Sequence, residues 1–454
     1  MRLIDRIRLN ENFRLIDEAS GKSYAYKDLP DVSWPIRERT LLFCYLNNSI
    51  ESVSFLIKAF ESQHVLVLLS ATLTENFKAV LESMYNPNYI YDASRSIVRG
   101  YKLDGASLHV KIIEFHHVLH EKLQVLLSTS GTTGSPKFVK LSESNLLANA
   151  ESIAAYLPIL AADKVPLNLP IHYSYGLSIL TSNALKGATL LAGVQDVISK
   201  GFWDNFQKYQ YSTIAGVPYV YEMLDRTGFT KMQLPSLRYF TQAGGKLRDD
   251  LVIKYADFAK EHGKLFYVMY GQTEATARMS YLHPDDLLSH IGSIGKPIPG
   301  GRFELNEETS ELQYEGPNVY GGYAECVKDL STFESHDLLS TGDLAKVDEQ
   351  GFYYITGRSK RFVKIFGNRI NLDELEAALS KRFGAYYPCL GWQDKAVLVY
   401  STNTNIDHSQ IVTWLSVEYK LHPTSFKLKT LNAIPLTANS KPDYKFLLSD
   451  YEGR

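Results

Sequence analysis

Short apolar runs that alternate with helical stretches limit the possible folds of this chain more than any other feature. Near the start these runs are TLLFCYL (40–46), HVLVLL (64–69) and YIYD (89–92), and the segments between them have helical character. Each run is apolar on both faces, as parallel strands are when helices cover both faces of their sheet. The alternation returns between residues 188 and 271, so the sequence predicts an α/β fold.

The pattern changes near residue 302. RFELNEETSELQYEG and GFYYITG alternate apolar and polar residues and turn at Asn, Glu and Gly, which is typical of antiparallel strands. A helical period follows over 371–383, and the runs AVLVYS and FKLKTLN bracket a second helix near 408–419. We therefore expect a large domain of layered α/β subdomains with a β-rich part over 1–359, and a small α+β domain over 360–454.

The composition excludes several classes of protein. With 454 residues, 22% of them charged, and a net charge of -2, the chain has no general basic surface for nucleic acid. It lacks the run of about 20 apolar residues that a transmembrane helix needs, and its start, MRLIDRIRLNENFRLID, is too charged for a signal peptide. Cys44, Cys326 and Cys389 form no CxxC motif, which favours a reducing, cytoplasmic compartment with each cysteine a small buried hydrophobe.

One loop has the composition of a phosphate site. In LLSTSGTTGSPKFVKLS (126–142), glycines let backbone N–H groups converge on an anion, hydroxyls add donors and Lys137 adds charge. A Walker A loop is excluded because Pro136 lacks an N–H and the residues after it predict a strand, where that loop requires a helix. Alone, such a loop is more often a surface turn. Its candidate ligands are Ser128, Thr129, Ser130, Gly131, Thr132, Thr133 and Gly134.

Four further segments overturn the surface-turn interpretation. They are YGQTEA (270–275), STGDLA (340–345) with Asp343 in a turn, GRSKRFVKIFGNRINLDELE (357–376) and PLTANSKPDYKFL (435–447). In order and spacing, the five segments resemble the signature motifs of the adenylate-forming superfamily, which contains acyl-CoA synthetases, carrier-protein adenylation domains and luciferases. Five ordered matches carry far more weight than one loop.

The resemblance implies a two-step reaction. A carboxylate attacks the α-phosphate of ATP to give an acyl-adenylate and pyrophosphate, and a thiol of CoA or of carrier-protein phosphopantetheine then displaces AMP. The first step joins two anions, so alignment and charge neutralisation supply most of the catalysis. Mg²⁺, which prefers oxygen ligands, is expected with the phosphates, and Glu274 stands at the superfamily's magnesium position.

The resemblance also assigns roles to the nucleotide-site residues. Tyr270 is expected to stack on adenine beside Gly271 and Gln272, and Thr273 to contact the α-phosphate. Lys137 resembles the loop lysine that covers the β- and γ-phosphates.

A second group of positions completes the nucleotide site. Asp343 is expected to accept both ribose hydroxyls, and Arg358 to reach the ribose or the phosphates. Gly244 and Gly245, in QAGGKL, resemble the glycines that line the adenine and acyl pockets.

Three positions resemble the moving parts of these enzymes. Lys360 occupies the position of a hinge about which the small, mobile C-terminal domain rotates between the two steps. Lys441 resembles the terminal lysine that one orientation brings to the adenylating site, and Gly367 lies on the face that the other presents to the thiol.

The acyl pocket departs from the superfamily pattern. Many acyl-activating members carry Pro-x-Phe-His-x-x-Gly, whereas this chain has PIHYSYG (170–176). Tyr173 then takes the histidine's place as the gate, or the loop is shifted by one and His172 takes it. With Tyr175 these residues predict a compact aromatic pocket, although His172 could equally be a core histidine.

Several functions remain open at this point. The segment between Asn168 and Ser178 lacks the aspartate that pairs with an α-amino group, which argues against a stand-alone amino-acid adenylating enzyme without excluding it. A nucleotide-binding pseudoenzyme and a luciferase-like oxidation also remain, while Pro136 opposes a P-loop phosphotransferase. The most economical prediction is an acid–thiol ligase for a small carboxylic acid, with CoA and an acyl carrier protein equally open as the acceptor.

Overall fold

The computed structural model describes residues 1–128, 137–336, 338–359, 361–365, 368–393, 395–402, 407–437 and 442–452. The chain forms two compact units. The first contains Met1–Arg302 and Tyr314–Leu339, and the second contains Phe303–Gln313 and Ser340–Arg454. The predicted domain boundary after residue 359 stays a prediction, as does a hinge at Lys360, which lies outside the described residues.

The largest sheet of the first unit has the predicted parallel strands at its centre. Leu41–Leu46 pairs in parallel with Val65–Ser70 and with Tyr89–Asp92, and these are the three apolar runs near the start of the sequence. The eight described strands of this sheet are, in spatial order, Tyr323–Ala324, Phe138–Ser142, Leu123–Ser128, Val65–Ser70, Leu41–Leu46, Tyr89–Asp92, Leu108–Lys111 and Tyr101–Asp104.

A five-stranded sheet carries the second predicted α/β region. Thr213–Gly216, Tyr239–Gln242 and Leu265–Tyr270 pair in parallel, so their carboxyl ends meet at one edge of the sheet, where ligands of α/β folds bind. Ser280–Leu282 and Lys296–Pro297 extend the sheet with antiparallel pairing.

A smaller sheet and eight helices complete the described part of the first unit. The sheet runs in the order Lys164–Pro166, Thr189–Ala192, Arg14–Asp17 and Ser23–Ala25. The α-helices are Leu3–Arg8, Ile50–Ala59, Glu75–Tyr85, Glu143–Tyr156, Ser174–Leu185, Lys200–Tyr209, Pro218–Arg226 and Asp249–Glu261. Ser142 ends a strand and also caps the next helix, because its Oγ accepts from the backbone N–H of Asn145.

The second unit contains the predicted α+β elements. Its helices are Leu372–Phe383, His408–Glu418 and Tyr444–Glu452 in the described residues. A four-stranded sheet, most of whose residues belong to this unit, runs in the order Arg302–Leu305, Glu311–Glu315, Leu339–Val347 and Tyr353–Arg358. A two-stranded sheet pairs Phe362–Ile365 with Asn368–Asn371. In a three-stranded sheet, Ala396–Ser401 pairs with both Cys389–Trp392 and Phe426–Thr430. The predicted α/β fold class, with an α+β part near the C-terminus, is confirmed.

The helices and the cysteines can be compared with what the composition predicted about membrane spans and disulfides. Within the described ranges, every helix is too short or too polar to span a lipid bilayer. All three cysteines are free, and Cys44 and Cys389 are buried as expected, whereas Cys326 is only partly buried.

Candidate active site

The YGQTEA segment forms a strained turn at the edge of the five-stranded sheet where the carboxyl ends of its parallel strands meet. Its strand ends at Tyr270, and in the turn Thr276 and Ala277 have φ angles of 57° and 129°, which residues with a side chain rarely adopt. Gly271 permits this turn because a Cβ at that position would lie 1.9 Å from the carbonyl oxygen of Ala277. Backbone strain of this kind is concentrated at functional sites.

Asn318 holds the strained turn in place. Its Nδ2 donates to the carbonyl oxygens of Ala275 at 2.7 Å and Arg278 at 2.8 Å, and its own carbonyl oxygen accepts from Thr276 Oγ1 at 2.6 Å. Tyr314 Oη in turn donates to Asn318 Oδ1 at 2.9 Å. Asn318 could not be recognised from the sequence, where it is one polar residue in a Gly/Pro-rich stretch.

Glu274 and Thr273 lie together on this turn. Glu274 is partly buried, and its Oε1 accepts a 2.8 Å hydrogen bond from Tyr323 Oη. Thr273 is buried with its Oγ1 3.3 Å from the Oγ of Ser174, which adjoins the predicted gate Tyr173. The predicted magnesium and α-phosphate positions are therefore next to the predicted acyl segment.

Tyr323 joins Lys137 to Glu274. The Nζ atom of Lys137 lies 3.6 Å from the centroid of the Tyr323 ring and 3.7 Å from Glu325 Oε1. Pairing of Tyr323–Ala324 with the strand that follows Lys137 brings the ring to this place. Burial, reinforced by the Glu274 carboxylate, raises the pKa of Tyr323, so its hydroxyl remains a donor. Tyr323 could not be recognised from the sequence either, because an aromatic residue beside glycines carries no distinct signal.

The phosphate-loop candidates are described only at their flanks. Ser128 is exposed at the end of Leu123–Ser128, and it pairs with Phe138 where the chain returns as an antiparallel strand. The two predicted strands that flank the segment are confirmed, and Phe138–Ser142 is a strand where a Walker A site has a helix. Thr129, Ser130, Gly131, Thr132, Thr133, Gly134, Gly367 and Lys441 lie outside the described residues, as Lys360 does.

The Gly244–Gly245 pair lies beside Tyr173. Gly244 has a φ of 86°, and a Cβ there would lie 3.1 Å from Val217 and 3.3 Å from the Tyr173 hydroxyl. At Gly245 a Cβ would lie 3.1 Å from Pro218. The absence of side chains at both positions leaves the Tyr173 phenol adjacent to the backbone at the sheet edge.

The three acyl-pocket candidates have different environments. Tyr175 is buried, and its hydroxyl donates to the carbonyl oxygen of Thr241 at 3.0 Å, so it forms a fixed wall. Tyr173 is partly buried at the start of helix Ser174–Leu185. Burial lowers the pKa of His172 to about 4, and its buried Nδ1 has no hydrogen-bond partner, so it is a neutral imidazole but not a satisfied core histidine.

In the second unit, Asp343 and Arg358 face each other across an antiparallel pair. Arg358 Nε donates to Asp343 Oδ1 at 3.0 Å, while the Asp343 N–H donates to Thr341 Oγ1. The Asp343 side chain is largely buried, and that of Arg358 is exposed. The prediction that STGDLA forms a turn was wrong: it lies within strand Leu339–Val347, where Gly342 adopts a φ of 75° without ending the strand.

A cluster of charged and aromatic side chains in the second unit contains Arg361, Asp373, Glu376 and Tyr444. Arg361 Nη2 donates to Glu376 Oε1 at 2.6 Å, and Nη1 lies 3.0 Å from Asp373 Oδ1. The guanidinium also stacks 4.1 Å from the ring centroid of Tyr444, whose hydroxyl donates to Glu376 at 3.0 Å. These contacts join Arg361, which follows Lys360 in sequence, to helix Tyr444–Glu452, and no motif of the sequence predicts this pairing.

Comparisons with known proteins identify similar chains. A family model described as AMP-binding enzyme matches residues 40–324. A long-chain-fatty-acid–CoA ligase of Salmonella typhimurium is 30% identical over 283 residues, which are 59% of this chain and 49% of that protein. The chain therefore spans about half the length of this relative.

Two further matches cover most of the chain. A 2-succinylbenzoate–CoA ligase of Staphylococcus epidermidis is 24% identical over 430 residues, 89% of this chain and 87% of that protein. The structure of an O-succinylbenzoate coenzyme A synthetase from Bacillus subtilis, in complex with ATP and magnesium ion, superimposes with a TM-score of 0.77 at 21% identity over 97% of each chain. This structural match shows the shared fold.

Proposed function

Since this chain belongs to the family of AMP-binding enzymes, we propose that it is an acid–thiol ligase that activates a carboxylic acid with ATP. One carboxylate oxygen bonds to the α-phosphorus as the bond from that phosphorus to the bridging oxygen of pyrophosphate breaks. A thiolate sulfur then attacks the acyl carbon, and AMP leaves with the carboxylate oxygen. The single observation that carries the proposal is the chain of contacts Lys137–Tyr323–Glu274 next to the predicted phosphate loop.

That arrangement suits a triphosphate. Lys137 supplies a positive charge beside the loop, and Thr273 supplies a hydroxyl on the neighbouring turn. Such charge stabilisation is most effective when its groups are held in place before reaction, which the contacts of Asn318 and Tyr323 achieve. Tyr270, Gly271 and Gln272 would then line the adenine side, with Gly244 and Gly245, as the superfamily resemblance implies.

Glu274 fits a magnesium ion that is shared with phosphates. Within the described ranges, no cluster of three or more His, Cys, Asp or Glu could hold a metal ion by itself. Mg²⁺ is commonly held by one or two carboxylates together with substrate phosphates, so a single partly buried carboxylate suffices. When bound, the ion would neutralise phosphate charge, while Tyr323 orients the Glu274 carboxylate.

The second unit would complete the cycle. Asp343 and Arg358 would bind the ribose, and Lys441 would reach the reacting groups only in one orientation of a domain that turns about Lys360. Residues 360–454 would move in this proposal, presenting Gly367 to the thiol in the other orientation. The Arg361–Glu376–Tyr444 contacts support it, because they would make the Lys441 segment move with helix Leu372–Phe383.

CoA is the favoured acceptor because the curated relatives are named as CoA ligases. A carrier-protein phosphopantetheine presents the same thiol and is the second candidate. ATP and magnesium as cofactors are supported by the Bacillus subtilis synthetase, whose structure holds both. The free, mostly buried cysteines support a cytoplasmic location.

A screen of ATP–pyrophosphate exchange over a panel of carboxylic acids tests the proposal. We expect exchange that requires both an acid and magnesium, followed by thioester formation when CoA or a phosphopantetheinylated carrier protein is added. If the protein binds ATP but no acid of a broad panel supports exchange, the result would contradict the proposal and favour a nucleotide-binding pseudoenzyme.

A further inference from the structure

Arg278 is a buried cation in the first unit, four residues after Glu274. The residue is 3% exposed, and its Nε has no hydrogen-bond partner. In the part of the chain that the structure describes, no carboxylate forms an ion pair with it. Since burying an ion costs several kcal/mol unless it is paired, an unpaired guanidinium at such a place needs an explanation.

The contacts that Arg278 does make leave its charge uncompensated. The guanidinium carbon lies 4.0 Å from the centroid of the Tyr175 ring, which provides stacking but no negative charge. Nη1 lies 3.4 Å from the carbonyl oxygen of Ala277, a long distance for a hydrogen bond. The buried phenol of Tyr156 also interacts with it, and burial raises the pKa of that phenol, so it stays neutral. A methionine could fill this volume without the cost of desolvating a charge, so packing alone does not account for arginine.

Arg278 lines a cavity in the first unit, and Tyr175 of the predicted acyl pocket lines it too. Thr241 and Met269 lie near the carboxyl ends of their strands, and Tyr239 lies at the opposite end, so the cavity follows the strands inward. Ser178 and Asn183 of the neighbouring helix complete its polar side, and the buried Asn183 Oδ1 has no hydrogen-bond donor. The cavity therefore combines an unpaired cation with an unsatisfied acceptor.

The predicted acyl pocket and this cavity share a wall. Tyr175 lines the cavity and stacks on Arg278. Burial raises the pKa of Tyr173 and Tyr175, and the positive charge of Arg278 opposes that rise at both. An acid that passes Tyr173 would thus meet Arg278 close behind the gate.

We propose that the acid activated at this site carries a second carboxylate, remote from the reacting one, and that Arg278 binds it. The inference rests on the proposed function, because it names the substrate class of the same site. A guanidinium fork presents parallel N–H donors to the two oxygens of a carboxylate, and the Nε edge, which lacks a partner, is one of the donors such a pair uses. The second carboxylate would supply the charge that the protein does not.

The test compares each dicarboxylic acid, from malonate to adipate and including aromatic diacids, with its own monomethyl ester. The ester has the same length but only one carboxylate. For wild-type protein we expect kcat/KM in pyrophosphate exchange to favour the best diacid over its ester by about 10- to 100-fold, the range of a charge-assisted hydrogen-bonded pair. Arg278→Met should abolish this preference and leave the ester rate and the KM for ATP nearly unchanged.

Two further variants and one binding measurement separate the possible outcomes. Arg278→Lys should keep part of the diacid preference, and Arg8→Met, an exposed arginine paired with Asp5, should change nothing. Calorimetric titration of diacids and esters in the presence of a non-hydrolysable ATP analogue reports binding without catalysis. Thermal melting shows whether each variant is folded.

The outcomes distinguish this inference from the proposed function. Equal use of diacid and ester by the wild type, or an equal loss for all acids in Arg278→Met, would overturn the inference and leave the ligase activity standing. Diacid binding that depends on Arg278, without any exchange, would sustain the anion site and refute the ligase. Failure of every diacid to bind would overturn the inference outright.

Discussion

Two arginines, one partly buried in the second unit and one buried in the first, show how differently the two regions use charge. Arg361 and Arg278 both stack on a tyrosine, at 4.1 Å and 4.0 Å from the ring centroid. Arg361 also meets two carboxylates, Glu376 and Asp373, whereas Arg278 meets none in the described chain. The aromatic contact is thus common to both, and the difference lies in the counter-charge.

The comparison extends to the acids of the two regions. Glu376 is buried and accepts from Arg361, Tyr444 and the N–H of Cys389, so its charge is used within the protein. Glu274 is only partly buried, and its carboxylate accepts from the neutral hydroxyl of Tyr323. We infer that the cluster around Arg361 stabilises the fold, while Glu274 and Arg278 are arranged for charges that arrive with ligands.

The largest expected effect on activity comes from substituting Glu274, and substitution of Glu376 is its comparison. Glu274→Gln should lower acid-dependent pyrophosphate exchange by roughly two orders of magnitude or more, because charge stabilisation in the transition state is lost. Its urea unfolding curve should match the wild type. Glu376→Gln is the matched variant, and it should instead lose stability. Wild-type exchange in Glu274→Gln would remove this carboxylate from the site.

Substitution of the two arginines should change the stability of the protein by different amounts. Arg361→Met leaves Glu376 and Asp373 without their cation, and breaking a buried pair in this way costs about 3–5 kcal/mol. Arg278→Met removes an unpaired charge and should leave the free energy of unfolding unchanged or raise it. Both values come from urea denaturation followed by circular dichroism. Equal destabilisation by the two substitutions would erase the distinction between the regions.

Tyr323→Phe tests the role of the first unit's site through a smaller expected change in the exchange rate. It retains the ring beneath Lys137 and removes only the hydroxyl that donates to Glu274. Loss of one hydrogen bond of about 1 kcal/mol should reduce exchange about fivefold and raise the magnesium concentration needed for half-maximal rate. A reduced rate with unchanged magnesium dependence would show that Tyr323 does not act through Glu274.

The smallest predicted effect concerns pH. Burial lowers the pKa of His172 to about 4, below the ordinary value of 6.5, so the unfolded chain binds the proton more readily than the folded one. Stability should therefore fall as pH drops from 6.5 towards 4, and His172→Gln should reduce that fall by about 1 kcal/mol at a pH of about 5.8.

His64 provides the comparison for this titration. Its pKa is also lowered to about 4, by burial and by the charge of Arg39, but it lies away from the acyl segment. His64→Gln should change the pH dependence of stability in the same direction without altering the choice of acid. An identical pH profile for His172→Gln and the wild type would place His172 in contact with solvent.

Local patterns predicted most of the fold, for identifiable reasons. Runs such as 40–46 and 64–69 are continuous because parallel strands covered on both faces have no polar side, and they appear as Leu41–Leu46 and Val65–Ser70. The helix predicted over 371–383 appears as Leu372–Phe383, capped by Asn371 and ended by Gly384 with a φ of 71°. STGDLA was predicted to turn at Asp343, whereas Gly342 adopts a positive φ within a strand that continues past it.

The site was only partly predictable. The motif residues could be recognised one segment at a time, but Asn318, Tyr323 and Arg278 act through contacts made across long stretches of chain. Burial of a charge and the absence of its partner are properties of the folded molecule. The sequence shows Arg278 only as one charged residue in an otherwise apolar and small-residue stretch.

Transfer of an oxygen isotope tests the central claim, acyl-adenylate formation, most directly. The protein would be incubated with ATP, a thiol acceptor and an active acid whose carboxylate carries ¹⁸O, and the products would be analysed by mass spectrometry. Attack on the α-phosphate predicts one ¹⁸O atom in each AMP and none in pyrophosphate. Label in inorganic phosphate with formation of ADP, or AMP without label, would contradict the account.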